Sequence, residues 1–279
     1  MSARRRNRDT ISFLSDYGTD DEFVGVVKSV LRQLARHAVV IDITHQLPPH
    51  DVRAGALTLQ RAAPYLVPGV VLAVVDPGVG TTRRAVAVEV EHDPRWVFVG
   101  PDNGVLAPAL DALGERGRAV SLGDRRRSVV GPPTGATFDG RDLFAPAAAR
   151  LCTGADLADL GPLIDTASLV PGPRPSLVHK ETGVAAEVLW IDRFGNAQLA
   201  ARPEDAADLG ELVRLILPSG EVVARRVASF ADIGPDQVGL VVDSSGMIAV
   251  ALDRRSAAGE LGLAAGDEVV LDRLDAKRG

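Results

Sequence analysis

Short apolar runs broken by acidic and glycine-containing turns dominate the first half of the chain. Thr10–Ser15 (TISFLS), 39–43, 70–75, 85–90 and 96–100 read as buried strands. Between the first two, residues 22–35 place Phe23, Val26, Val27, Val30, Leu31 and Leu34 at helical spacing, behind the acidic stretch Asp20-Asp21-Glu22, which suits capping and dipole work. From Asp51, a predicted N-cap, to about Ala63, the residues Val52, Ala56, Leu59 and Ala63 fall on one helical face. A further helix, 143–151, follows Thr137-Phe138-Asp139-Gly140-Arg141-Asp142. Strands alternating with helices predict an α/β domain over 10–165, a mainly parallel sheet with flanking helices. Residues 1–9 read as a disordered arginine-rich tail.

The pattern then changes. Pro171, Pro173 and Pro175 exclude a long helix, so 166–178 reads as a proline-rich linker. Beyond it come β-rich runs at 183–191, 212–217, 221–227, 238–242, 248–252 and 268–271. Turns such as Pro218-Ser219-Gly220 and Ser244-Ser245-Gly246 separate some of them. This predicts a smaller β-rich domain over 179–279, an antiparallel sheet or a small barrel.

Composition narrows the possible partners. Of 279 residues 46% are hydrophobic, yet no apolar run approaches the roughly 20 residues of a membrane span, and the start lacks the apolar core of a secretory signal. A net charge of −6 gives no electrostatic reason to expect nucleic acid. Cys152 is the one cysteine, which fits a cytoplasmic setting and reads as a small buried hydrophobe. His37, His45, His50, His92 and His179 show no metal-ligand spacing, so no metal site is expected.

The chemistry is expected where strands end. Asp16, His50, Asp76 and Asn103 all fall in loops after strands, where ligands bind in sheets of this kind. A carboxylate at Asp16 can accept two hydrogen bonds from a ribose diol. The loop Val74–Arg84 carries Asp76 and Arg83 around Gly78-Val79-Gly80, but lacks the third glycine of a dinucleotide loop and the GK[ST] of a P-loop. Asp76 and Arg83 can meet as an ion pair, either functional or merely loop-stabilising. In the second domain Asp192, Phe194 and Asn196 offer a carboxylate for an ammonium, a ring for stacking and an amide for a purine edge. The alternative there is an Asx-rich turn with a buried Phe.

Seven stretches in order, SDYGTDDE (15–22), DITHQLPPHD (42–51), VVDPGVGTTRR (74–84), GPDNGVL (100–106), TFDGRDLFAP (137–146), IDRFGN (191–196) and DSSG (243–246), resemble the S-adenosylmethionine (SAM) hydroxide adenosyltransferases, or SAM hydrolases, relatives of the fluorinating and chlorinating enzymes. The resemblance implies an N-terminal α/β domain and a C-terminal antiparallel β-barrel-like domain, and hydrolysis of SAM to adenosine and L-methionine, without cofactor, in a homotrimer with sites at subunit interfaces. It also implies that Asp16 binds the ribose hydroxyls, with His50 in the usually aromatic position beside the sugar. Asp21 and Asp192 would hold the methionine ammonium. Phe194, Asn196 and Phe230 would form the adenine pocket, with Ser244 near the methionine carboxylate. Asp76 stands where halogenating relatives have tyrosine, and Arg83 matches the hydrolase arginine.

Two departures stand out. The hydrolase pattern Phe-His-Gly-Arg-Asp is here Phe138-Asp139-Gly140-Arg141-Asp142, so the catalytic set becomes Asp76, Arg83 and Asp139, and Leu252-Asp253-Arg254-Arg255 differs from the adenine-contacting stretch of relatives. If Asp139 approaches Asp76, repulsion raises the pKa of one of them, which either makes a better base or spoils the set. A catalytically impaired adenosine- or SAM-binding protein is therefore the alternative to a hydrolase. A halogenase stands third, because a fixed carboxylate opposes a halide.

Overall fold

The computed structural model describes residues 8–91, 93–123 and 135–274. They fall into two compact units divided between Pro173 and Arg174.

The first unit is an α/β layer structure. Its strands are β1 (Thr10–Ser15), β2 (Val39–Thr44), β3 (Val70–Val74), β4 (Ala85–Val90), β5 (Asp93–Pro101), β6 (Arg116–Ser121) and β7 (Leu163–Ile164). Its helices are α1 (Phe23–Leu34), α2 (Val52–Ala62), α3 (Ala107–Leu113) and α4 (Ala145–Cys152). The sheet order is β2-β1-β3-β5-β4-β6-β7. The expected parallel character belongs to β2-β1-β3-β5, and from β5 onward the pairings to β4, β6 and β7 are antiparallel.

Alternation along the central strands supplies two apolar faces. Ile11, Phe13, Leu72 and Val74 join Val27, Val30 and Leu31 of α1 and Ala148, Leu151 and Cys152 of α4 in one buried cluster. Val75 lies against Gly55 of α2, which packs with α3. Cys152 is fully buried, as its sequence setting predicts, and burial pushes its thiol up to about 12. Asp51 caps α2 by accepting from Ala54 N at 2.8 Å, whereas no side chain caps α1 at Glu22. The helix expected at 143–151 begins as one turn of π-helix, Gly140–Phe144, before α4.

Two boundary readings change. Residues 1–7 of the expected tail lie outside the described residues, but Arg8 is 5% exposed. Its guanidinium donates to the carbonyls of Arg95 and Leu151 and lies 3.6 Å from the buried Glu89, so the chain is anchored before β1 begins. The division between the units falls inside the expected linker, whose two ends are already part of the units they join. Thr166–Ser168 forms a turn tied to Arg84, Val170 N donates to Asp102 Oδ1, and Leu177–His179 is already a strand.

The second unit holds β8 (Leu177–His179), β9 (Gly183–Ile191), β10 (Ala197–Leu199), β11 (Leu212–Leu217), β12 (Gly220–Arg226), β13 (Val238–Val242), β14 (Ile248–Ala251), the short α5 (Ala257–Leu261) and β15 (Glu268–Arg273). Seven strands close in the order β10-β14-β13-β12-β11-β15-β9, with β9 pairing back to β10, and β8 adds to the outside of β9. All pairings are antiparallel except β12–β13. Val184, Val188, Leu199, Val213, Leu215, Val250, Val269 and Leu271 fill the interior.

Candidate active site

The C-terminal ends of β1 and β3 and the π-turn before α4 bring three sequence-predicted residues together. Asp76 leaves β3 and the loop returns Arg83 to it. Arg83 donates from Nε to Asp76 Oδ1 at 3.0 Å and from Nη2 to Oδ2 at 2.5 Å, and the same Nη2 donates to Asp139 Oδ2 at 2.8 Å. The side chains are 6% (Asp76), 9% (Arg83) and 2% (Asp139) exposed, so one guanidinium faces two carboxylates away from bulk water. The Phe144 ring lies 5.4 Å from the Arg83 guanidinium carbon and closes its other side.

Electrostatically the cluster carries more negative than positive charge when both acids are ionised. Burial pushes the Asp76 carboxyl above its ordinary range. Arg83 opposes that rise and Asp139 reinforces it. Tyr17, which the sequence reading did not single out, belongs to the same cluster: burial, then Asp16, Asp76 and Asp139, push its phenol well above the usual tyrosine range. Its ring packs against Phe23 and Phe138. Glycine is required at 140, because a Cβ there would lie 2.2 Å from the Tyr17 hydroxyl. The available signal was the polar turn Asp16-Tyr17-Gly18 at the end of β1.

Asp16 and His50 also meet. His50 N donates to Asp16 Oδ2 at 2.9 Å, and His50 adopts φ 67°, in the left-handed region that non-glycine residues seldom occupy. Asn103 braces the exit of β3 by donating to Val75 O at 2.8 Å. Asp21 is exposed in the turn before α1.

In the second unit Asp192, Phe194 and Asn196 form one turn between β9 and β10. Asp192 Oδ1 accepts from Phe194 N at 2.8 Å and Asn196 N at 2.9 Å, while Oδ2 accepts from Asn196 Nδ2 at 2.8 Å. The Asx-turn reading is right for the carboxylate, which organises the turn, and wrong for the ring, since Phe194 is 76% exposed. Gly195, at φ 83°, lets the turn pass Ser256, which a Cβ would meet at 2.2 Å. Gln198 of β10 donates to Asp243 Oδ2, joining this turn to the one that carries the exposed Ser244. Phe230 is half-exposed at the start of a separate 3₁₀ turn. Among the described residues no group of three or more His, Cys, Asp and Glu side chains could hold a metal ion.

Comparison with known proteins follows the same division. Residues 11–161 match the SAM hydroxide adenosyltransferase N-terminal domain, and residues 186–270 match the C-terminal domain of that family. The chain is 46% identical over 259 residues to the (R)-S-adenosyl-L-methionine hydrolase of Salinispora tropica, covering 93% of this chain and 96% of the relative. It is 42% identical to the protein of that name from Thermus thermophilus, covering 94% and 98%. A fluorinase from Actinopolyspora mzabensis is 26% identical, covering 96% and 98%. The crystal structure of an uncharacterized conserved protein from Thermotoga maritima superposes with a TM-score of 0.86 at 31% identity, over 94% of this chain and all of the other. With both family domains matched in order, this chain belongs to the SAM hydroxide adenosyltransferase family.

Proposed function

We propose that the protein hydrolyses SAM at C5′ to adenosine and L-methionine. In this reaction a water oxygen bonds to C5′ while the C5′–S bond breaks. The bonding electrons pass to sulfur, and the sulfonium leaves as the neutral thioether of methionine. The leaving group needs neither an acid nor a cofactor, so what the protein must supply is a base for the water proton. Asp76 is that base. Its raised pKa strengthens it as a proton acceptor, and Arg83 fixes its orientation through two parallel hydrogen bonds. Asp139, on the same guanidinium nitrogen, stops Arg83 from draining all the negative charge from Asp76. The single observation that carries the reading is this buried Asp76–Arg83–Asp139 cluster beside the Asp16–His50 turn.

In the first unit Asp16 takes the ribose hydroxyls with His50 beside the sugar, and the family resemblance assigns Asp21 to the methionine ammonium. In the second unit the same resemblance assigns Asp192 to the ammonium, Ser244 to the methionine carboxylate, and Phe194, Asn196 and Phe230 to adenine. Two carboxylates at the nucleophile position disfavour a halide, which separates this chemistry from that of the fluorinase relatives. Exposed apolar rings at Phe194 and Phe230 support assembly into a homotrimer whose interfaces cover them. The cytoplasm, where SAM is made and thiols stay reduced, is the matching compartment. The named relatives support the hydrolase reading over a binding protein. The test is turnover: free adenosine and methionine accumulate with SAM, whereas tight adenosine binding without turnover at high protein concentration would favour a protein that has lost catalysis through Asp139.

A further inference from the structure

A second polar chain, Ser15–His45–Asp42–Lys28, lies beside the Asp16 turn. His45, the residue after β2, is 6% exposed and set edge-on against Phe13, with ring centroids 4.6 Å apart. Its Nδ1 lies 2.8 Å from Ser15 Oγ and its Nε2 3.1 Å from Asp42 Oδ1, while Asp42 Oδ2 accepts from Lys28 Nζ at 2.8 Å. Ser15, His45 and Asp42 have the composition of a hydrolytic triad, but Ser15 is fully buried and cannot reach a substrate. The contact that bears on the Asp16 turn is the one to Ser15: His45 Nδ1 and Ser15 Oγ share a hydrogen bond and Ser15 Oγ accepts from Tyr17 N at 3.4 Å, while Nε2 lies close to Asp42 without the alignment of a hydrogen bond. The backbone of His45 holds the other side, since its carbonyl accepts from Gly18 N at 2.7 Å. The β1–β2 ladder shifts register between Phe13 and Leu14, at the level of this clamp, as sheets do where they re-aim a side chain.

We propose that His45 is a positioning residue for Asp16. Its ring grips Ser15, its carbonyl grips Gly18, and Asp16 and Tyr17 are held between these two points. On the reading that Asp16 binds the ribose diol, the clamp sets affinity and selectivity for that diol rather than the chemical step. The inference rests on that reading, and the experiment separates the two.

Adenosine and 2′-deoxyadenosine binding would be measured by calorimetry, and steady-state kinetics with SAM recorded, for the full-length protein and for Asp16→Asn, His45→Gln and His45→Asn. The glutamine can reach Asp42 but not Ser15, whereas the asparagine can restore the Ser15 contact. His45→Gln is expected to raise KM and the adenosine Kd about tenfold, the effect of one hydrogen bond, with kcat within about threefold. It should also shrink the preference for adenosine over the deoxy analogue, and His45→Asn should recover most of both. If Asp16→Asn weakens adenosine binding while both folded His45 variants bind like the parent, the positioning role is overturned. A fall in kcat at unchanged KM would overturn it too. If Asp16→Asn leaves adenosine binding intact, the ribose reading fails and the proposal goes with it. Should His45→Gln not fold, Ser15→Ala, which removes the same contact from the other side, decides: a deoxy preference between those of the parent and Asp16→Asn supports the clamp, and one equal to the parent's overturns it.

Discussion

Replacing Asp139 by asparagine isolates the feature on which the proposed chemistry turns. Asp76 Oδ2 and Asp139 Oδ2 sit 2.5 and 2.8 Å from the same Arg83 nitrogen. The two oxygens are therefore no more than about 5 Å apart, and at an effective dielectric of about 20 two unit charges at that separation repel by roughly 3 kcal/mol. The shared guanidinium absorbs part of this, and the remainder adds to the rise that burial already gives the Asp76 carboxyl. Asp139→Asn keeps the shape and a hydrogen-bonding group but removes the charge. If Asp76 is the base, turnover is lost as pH falls through its pKa, and the variant should move that acid limb of log(kcat/KM) to lower pH. The plateau rate should fall as well, because a less basic carboxylate takes the water proton less readily. The assay is adenosine formation from SAM across pH 4–9 with KM followed throughout. An acid limb that stays in place, or moves upward, would refute the coupling between the two carboxylates and with it the role given to Asp139.

Other consequences are simpler to read. Arg83→Met leaves two buried carboxylates without their cation and should destabilise the fold by about 3–5 kcal/mol at pH 7 in denaturant titration. The deficit should shrink as pH falls, because the Asp76 carboxyl, already pushed up by burial and now without its cation, can then protonate; a deficit independent of pH would contradict the assignment of charge. Phe194→Ala should leave the fold of the chain intact, since the ring packs into neither core cluster, yet raise KM for SAM by roughly 10- to 100-fold if the ring stacks on adenine. Cys152 should be silent to a thiol reagent in the native protein and react fully on unfolding, as its complete burial requires.

Much of this was legible in the chain because the elements that make the core also carry the strongest periodicity. β1, β4, β9, β11 and β13 were delimited by apolar runs flanked by turn residues, and the motif loops lie at their ends. The reversal of direction after β5 was not legible, since a strand buried on both faces reads the same whether its neighbour is parallel or antiparallel. A small barrel was among the expectations, but the strand that closes it was not legible: β10 has three residues, too few for any alternation, yet it joins β9 to β14. In the site, Asp76, Arg83 and Asp139 could be named from sequence, but their sharing of one nitrogen depends on the π-turn at Gly140, which no hydrophobic pattern encodes. Tyr17 and His45 escaped for a related reason. Each is a single polar residue beside a buried strand, and its partners, Gly140 and Phe138 in one case and Ser15 and Asp42 in the other, come together only when parallel strands and the π-turn are in place.

The most direct test is the identity and origin of the product formed from SAM in ¹⁸O-labelled water, with and without chloride. The account predicts adenosine carrying the label at its 5′ oxygen, with an equal amount of L-methionine and no dependence on chloride. Formation of 5′-chloroadenosine as the only product, or adenosine binding without any turnover, would contradict it.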